Sequence, residues 1–149
     1  MTIYNSVMVT NKVPVTSHGL YGNVKQETVT VTLTAAPTTA DVINFFSIPR
    51  NSILIGATVA ASQIDSNGSP TLTLNIGDAG SAGRLFPALT SVGRAAPGSV
   101  SSAVAFGGYG YLYTADTVIQ GSVGVNPATG VAGATVTLTV MYVPVGGAS

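Results

Sequence analysis

The sequence predicts an all-β protein, an antiparallel β-sandwich of the jelly-roll type. Several short segments alternate apolar residues with threonine, which is the pattern of strands with one buried and one exposed face. Turn signals rich in glycine, proline and asparagine separate these segments. No segment shows a convincing 3.6-residue helical period. With about eight short strands, the jelly roll is the leading topology.

The clearest strands are three segments of alternating character, residues 28–33, 71–76 and 135–143. Their sequences are TVTVTL, TLTLNI and TVTLTVMYV. In each of them an apolar side chain falls at every second position, and threonine occupies most of the positions between. We expect the apolar side chains to point into the sandwich and the β-branched threonines to cover its surface.

Four further strands are predicted at residues 41–48, 52–60, 99–106 and 117–125. Their sequences are DVINFFSI, SILIGATVA, SVSSAVAF and TVIQGSVGV, which are rich in β-branched and aromatic residues. The segment GYGYLY at residues 108–113 is a candidate eighth strand.

Four turn signals, IPRN, DSNGSP, RAAPG and NPATG, lie between the predicted strands. DSNGSP begins at Asp65 and contains Asn67-Gly68, a pair that predicts a hairpin between two strands. The same segment superficially matches the start of a calcium-binding loop. Ile76 stands where that loop needs a bidentate glutamate, so we expect no calcium site.

Residues 1–27 lack strict alternation and are predicted to form an extended N-terminal arm with room for one edge strand. Residues 28–149 form the predicted sandwich domain. Because terminal segments are often ordered only when a partner ties them down, Ile3, Tyr4 and Val7 are candidate partner contacts.

Charge is sparse in this sequence. Five basic and five acidic residues make up 7% of the 149 residues and leave a formal net charge of zero, whereas about 25% of an average soluble domain is charged. No run of like charge exists, so neither nucleic acid nor an anionic membrane is an expected partner. A neutral surface tends to associate, and we infer that much of it is covered in use. The alternative is an ordinary extracellular β-protein with a surface of threonine and serine.

The composition excludes several kinds of chemistry. The chain has no cysteine, so disulfides, thiolate metal sites and thiol nucleophiles are ruled out together. His18 is the only histidine, and one histidine cannot build a multi-histidine metal site. We therefore expect no metal and no cofactor. No secretory signal and no membrane helix are expected either, because the sequence has neither a basic start before an apolar block nor roughly 20 consecutive apolar residues.

The segment GDAGSAGR raises the question of a phosphate loop, because Gly77, Gly80 and Gly83 follow a strand at regular spacing. The Lys-Ser/Thr pair of such a loop is missing, and no amphipathic helix follows. We interpret the segment as a structural corner in which the glycines allow positive φ and Asp78 binds nearby backbone amides. Asp78 and Arg84 are expected to form an exposed ion pair across this loop, worth about 0–1 kcal/mol.

Two other patterns leave a function open. Tyr109, Tyr111 and Tyr113 fall on one face of an extended segment, where they can stack on sugar rings, pack on a protein neighbour or cap the core. The aspartates near predicted strand ends are conceivable as the paired acids of a hydrolase. Isolated aspartates in turns are nevertheless normal in β-proteins, so no catalytic residue is assigned.

Several segments together resemble the small jelly-roll decoration (cement) proteins of tailed-bacteriophage capsids. They are SIPRNSILIGATVAAS, TLTLNIGDAGSAGRLF, YGYLYTADTVIQGSVGV and ATVTLTVMYV, spread over residues 41–143. The most specific element is the strand followed by GDAG, an arginine and an aromatic residue, here Arg84 and Phe86.

The resemblance implies a structural, non-enzymatic protein of the virion. Such a protein is made in the host cytoplasm, binds the outer surface of the assembled head and bridges neighbouring major capsid protein subunits to stabilise the shell. It also implies a homo-dimer or homo-trimer and no small-molecule substrate. A carbohydrate- or receptor-binding β-sandwich module of a phage fibre is the alternative, which the tyrosines favour and the absence of tryptophan disfavours.

Overall fold

The computed structural model describes residues 1–6, 23–94, 96, 101–103 and 106–145, and ten strands run through this part of the chain. In chain order they are β1 (Ile3–Asn5), β2 (Lys25–Leu33), β3 (Val42–Ile48), β4 (Ser52–Ala61), β5 (Thr73–Asp78), β6 (Ser81–Leu89), β7 (Ser101–Ala103), β8 (Leu112–Tyr113), β9 (Thr117–Val125) and β10 (Ala134–Pro144). The described residues form no helix. This part of the chain therefore contains no helix that is long and apolar enough to cross a membrane.

The strands form two facing sheets with the strand order of a jelly roll. One sheet has the order β1-β3-β9-β5-β6, and the other has the order β2-β10-β4-β7. The short strand β8 lies outside this order and also pairs with β4. All pairings are antiparallel except that of β1 with β3. From β2 onward the chain passes back and forth between the sheets, as two interlocking Greek keys require. The predicted fold class is confirmed.

The core lies between the two sheets and is built from the alternating positions that the sequence identified. In β10 the side chains of Val136, Leu138, Val140 and Tyr142 are buried, and the threonines between them are only partly covered. The inward side chains of β2 and β5 alternate in the same way. Burial of an aliphatic side chain contributes about 1.5–3 kcal/mol, so the period-two pattern fixes which face of each strand turns inward.

One strand was missed and one falls partly outside the described residues. No strand was predicted at residues 81–89, the first four of which were interpreted as part of a corner, but these residues form β6, paired with β5 through two register shifts. Leu85 and Phe86 are adjacent and both fully buried, which breaks the alternation that identifies a strand. The prediction for residues 117–125 matches β9, whereas that for residues 99–106 includes undescribed positions and corresponds to β7.

The hairpin predicted at Asn67-Gly68 is wrong, because β4 and β5 belong to different sheets. The connection between them is organised by Asp65, which is 1% exposed. Its carboxylate accepts backbone N–H groups at 2.8–3.2 Å from Asn67, Thr71, Leu72, Ala128 and Thr129. Burial alone would raise the pKa of Asp65, but these hydrogen bonds hold it far below its usual range.

The first six residues belong to the sandwich. β1 pairs with β3 and forms the edge of that sheet, and the backbone N–H of Thr2 donates to the buried carboxylate of Asp41 at 2.6 Å. Tyr4 is 5% exposed and donates its hydroxyl to the carbonyl of Ala35 at 3.3 Å, so its prediction as a partner contact is wrong. Ile3 remains exposed, and Val7 lies outside the described residues. The sandwich also includes Lys25–Leu33, whose first three residues were assigned to the arm.

Candidate functional site

A cleft of about 480 Å³ opens at the end of the sandwich formed by the β3–β4, β5–β6 and β8–β9 connections. The β5–β6 hairpin supplies one wall and the segment around β8 and the start of β9 supplies the other. The lining residues are Asp78, Ala79, Gly80, Arg84, Tyr111, Tyr113, Thr114, Ala115, Asp116, Thr117, Val118 and Gln120.

The β5–β6 hairpin turns at Ala79-Gly80, with Asp78 paired to Ser81. Its glycines serve close packing and not positive φ, which corrects the expectation, since neither Gly77, Gly80 nor Gly83 has a left-handed backbone. A Cβ on Gly77 would overlap the carbonyl oxygen of Ser81 and lie only 2.7 Å from that of Ala82. A side chain at this position would therefore force the two strands apart.

The carboxylate of Asp78 is the centre of a buried polar cluster. Its Oδ1 accepts the backbone N–H groups of Gly80 and Ser81, both at 2.9 Å, which fixes the turn. Its Oδ2 accepts the Nε of Arg84 at 2.5 Å and the hydroxyl of Tyr113 at 2.9 Å. The ion pair expected between Asp78 and Arg84 is present, but it is not exposed as expected, because the side chains are 3% and 19% exposed.

The protonation states within this cluster follow from its hydrogen bonds. Burial alone would raise the pKa of Asp78, but the hydrogen bonds from Arg84, Tyr113 and Ser81 lower it below its usual range. The hydrogen bond to Asp78 raises the pKa of Arg84. Burial, together with the hydrogen bond to the carboxylate, raises the pKa of Tyr113 well above its usual range. At neutral pH the cluster is thus an arginine–carboxylate pair with a protonated phenol.

Arg84 also connects the hairpin to the β8 segment. Its guanidinium carbon lies 3.7 Å from the ring centroid of Tyr111, a cation–π contact. The ring of Tyr111 meets that of Tyr113 edge-on at a centroid distance of 4.9 Å. Behind the hairpin, buried Phe86 lies 6.3 Å from Phe106, centroid to centroid. One arginine thereby holds two separate chain segments in a fixed relation.

The three tyrosines do not form one exposed stripe. Tyr113 is 3% exposed and belongs to the Asp78 cluster, so its prediction as a partner contact is wrong. Tyr111 is 38% exposed at the cleft, and Tyr109 is 76% exposed. Only Leu112–Tyr113 is a strand, because a turn at Gly108–Tyr111 interrupts the alternation that would have aligned all three rings.

The polar groups of the cluster are directed toward one another. The carboxylate of Asp78 accepts hydrogen bonds from Arg84 and Tyr113. Its negative charge is therefore compensated by Arg84 within the cluster and not by a bound molecule. Among the described residues, no group of three histidine, aspartate or glutamate side chains could hold a metal ion. The cluster therefore has a structural role, in which its hydrogen bonds hold together residues that line the cleft.

Sequence reasoning did not predict that two exposed charged residues, Arg50 and Asp116, lie together at this end of the molecule. Asp116 accepts the backbone N–H of Arg50 at 2.8 Å, which joins the β8–β9 connection to the β3–β4 turn, and both side chains are exposed. Asn51 follows with a positive φ of 59°. The IPRN turn signal placed Arg50 and Asn51 in a turn, but nothing in the sequence indicated that Asp116 lies beside them.

Comparisons with known proteins give related structures from phage capsids. A chain of the cyanophage Pam1 capsid asymmetric unit is 37% identical, with 88% of this chain and 91% of that chain covered and a TM-score of 0.73. The chain belongs to a family of phage capsid proteins. No protein-family model matches it, and neither does any curated protein sequence.

Two further structures place this phage capsid protein among others of the same fold. A chain of the capsid of Ralstonia phage GP4 is 26% identical, covers 98% of this chain and 99% of its own length, and has a TM-score of 0.80. A chain of the acid-stable capsid of Helicobacter pylori bacteriophage KHP30 is 12% identical over 83% of this chain and 90% of its own, with a TM-score of 0.53. The last similarity concerns the fold alone.

Proposed function

We propose that this phage capsid protein is a decoration, or cement, protein. It binds the outer surface of the assembled head, bridges neighbouring major capsid protein subunits as a homo-dimer or homo-trimer, and stabilises the shell without catalysing a reaction. The observation that carries the proposal is that this chain, which has phage capsid relatives, exposes few charged side chains on the part of its sandwich that the structure describes.

Most of the charged side chains that the structure describes are turned inward or paired. Asp41, Asp65 and Asp78 are buried, and Arg84 lies against Asp78. Arg94 donates its Nε to the carbonyl of Leu72 at 2.8 Å. Within the described ranges this leaves Lys25, Glu27, Arg50 and Asp116 to give the surface its charge. Little electrostatic repulsion therefore opposes close contact with another protein.

The outer face of the sheet containing β2 and β10 carries paired threonine hydroxyl groups. Thr28 and Thr139 lie opposite each other with their Oγ1 atoms 2.8 Å apart, and Thr30 and Thr137 repeat this arrangement at 2.7 Å. The pairing of β2 with β10 runs over nine residues without a register shift. A face of this kind needs no charged partner, and it suits contact with another uncharged protein surface.

In the proposed mode of binding, the first six residues of the predicted arm, residues 1–27, do not extend to a coat subunit. Residues 1–6 are tied to the chain's own sandwich through β1 and the contact between Thr2 and Asp41. In the proposed mode of binding, several modest contacts act together, and simultaneous engagement raises the avidity by about 10²–10⁴ over one contact.

The proposal is tested with heads assembled without this protein. Purified chain is added to such heads, and binding is measured by co-sedimentation and by the temperature at which the heads release DNA. We expect saturable binding and a higher release temperature. Heads that already carry the protein are the matched control and should bind no more. Absence of binding to unoccupied heads would contradict the proposal, and binding on a glycan array instead would favour the fibre module.

A further inference from the structure

Tyr109 stands on a rigid turn at the cleft end of the sandwich. The N–H of Tyr111 donates to the carbonyl of Gly108 at 3.1 Å, and Gly110 has a φ of +78°, as the third residue of a type II turn requires. Tyr109 is the second residue of this turn, and 76% of it is exposed. A tyrosine in this position presents a large ring with few torsions left to be ordered on binding.

The turn is anchored on both sides to the sandwich. The N–H of Gly107 donates to the carbonyl of Leu85 at 2.8 Å, and the N–H of Gly110 donates to the carbonyl of Leu54 at 2.8 Å. The N–H of Leu54 donates in return to the carbonyl of Tyr111 at 3.0 Å. The backbone that carries the exposed ring is therefore held against the sandwich, and only the side-chain torsions of Tyr109 remain to be ordered when it acts as an aromatic anchor at an interface.

The cleft beside this turn has the size and the chemistry to receive such a ring. Its volume of about 480 Å³ exceeds that of a tyrosine side chain. Tyr111 contributes an aromatic ring to the lining, Thr114 contributes a neutral polar group, and the carboxylate of Asp116 can accept a hydrogen bond from a phenol. Tyr109 is not itself among the residues that line the cleft of its own chain.

The charges around the cleft favour a second copy of this chain as the occupant. Arg50 and Asp116 are both exposed at this end and of opposite sign. Across a two-fold axis each can face the other in the partner copy, so the surface is complementary to itself. Leu112, 43% exposed beside the turn, adds apolar area to the same contact.

We propose that Tyr109 of one copy inserts into the cleft of a second copy, whose own Tyr109 enters the first cleft. The contact is reciprocal because each chain carries both an exposed Tyr109 and a cleft whose lining includes Tyr111 of the same turn. This inference deepens the self-association within the proposed function. Its test uses the free chain, so that its failure and a failure of binding to heads are told apart.

The first experiment measures self-association of the full chain by sedimentation equilibrium over a concentration series. We expect Tyr109→Ala to weaken self-association by at least about 30-fold, the loss typical of a hot-spot residue. Val125→Ala is the matched control, because Val125 is an exposed apolar residue at the other end of β9 and its loss should change nothing. A monomeric parent chain, or a Tyr109→Ala variant that associates like the parent, would overturn the proposal.

The second experiment fills the cleft. Ala115→Trp places a large ring at an exposed position of the lining, and alone it should weaken self-association as Tyr109→Ala does. A mixture of the two variants should form mixed pairs, because each pair then contains one intact ring and one open cleft. Unchanged circular dichroism of both variants shows that they remain folded. A mixture that stays as weakly associated as its components would overturn the reciprocal contact.

Discussion

Replacing Tyr113 by phenylalanine removes one hydroxyl from the buried cluster around Asp78 and leaves the ring in place. Tyr113 is 3% exposed, and its hydroxyl donates to Asp78 Oδ2 at 2.9 Å. A hydrogen bond to a charged group contributes about 1.5–3 kcal/mol to stability. Since Asp78 keeps Arg84 and two backbone amides, we expect a loss of about 2 kcal/mol in the free energy of unfolding.

The assay is urea-induced unfolding followed by far-UV circular dichroism, in a double-mutant cycle with Asp78→Asn. In the Asp78→Asn background the phenol faces a neutral amide, so Tyr113→Phe should cost about 1 kcal/mol less there. At this chain length, a loss of about 2 kcal/mol also lowers Tm by roughly 4–8 °C.

Tyr111→Phe is the control for this cycle, because Tyr111 is 38% exposed and joins the cluster through its ring. Its cost should stay within about 0.5 kcal/mol. A coupling energy between Tyr113 and Asp78 below about 0.5 kcal/mol would refute the inference that their hydrogen bond stabilises the Asp78 cluster.

Three further predictions concern the loops and the carboxylates. Asp65→Asn should lower the free energy of unfolding, measured in urea, by about 3–6 kcal/mol, because at least two of five backbone N–H groups lose their acceptor. The control Asp116→Asn changes an exposed side chain and should cost under about 1 kcal/mol. Equal losses for the two variants would contradict the role of Asp65. Gly77→Ala should lower the free energy of unfolding by about 2 kcal/mol or more, whereas Gly68→Ala should lower it by almost nothing, because a Cβ at Gly68 meets no atom within 4 Å. Similar melting temperatures for the two variants would show that the β5–β6 hairpin can accommodate a Cβ at Gly77. Folding lowers the pKa values of Asp41, Asp65 and Asp78. The stability that these ionised carboxylates contribute is therefore present above about pH 4 and is lost as the pH falls below that value. A Tm that stays constant from about pH 6 to pH 2 would contradict this prediction.

The sequence predicted the strands wherever local alternation decides the fold. β10 and β2 were found because apolar side chains recur at every second position along most of their length. β6 was missed because Leu85 and Phe86 both turn inward at an irregular pairing with β5, and Pro87 follows. A bulge depends on the neighbouring strand, so the sequence of β6 alone carries no signal for it.

The site was predictable in its chemistry but not in its burial. Asp78 and Arg84 flank a tight turn, which made their pairing foreseeable from spacing. Tyr113 completes the cluster from 35 residues away, and the donors to Asp65 come partly from Ala128 and Thr129, 63 and 64 residues away. Such contacts arise from the jelly-roll connections, which bring distant loops to one end of the sandwich.

The most direct test of the central claim is a pair of cryo-electron microscopy reconstructions of the phage head, one with this protein and one assembled without it. The proposal predicts difference density on the outside of the shell, in the shape of this sandwich, in contact with at least two neighbouring major capsid protein subunits. Difference density inside the shell, confined to a tail fibre, or touching a single coat subunit would contradict it.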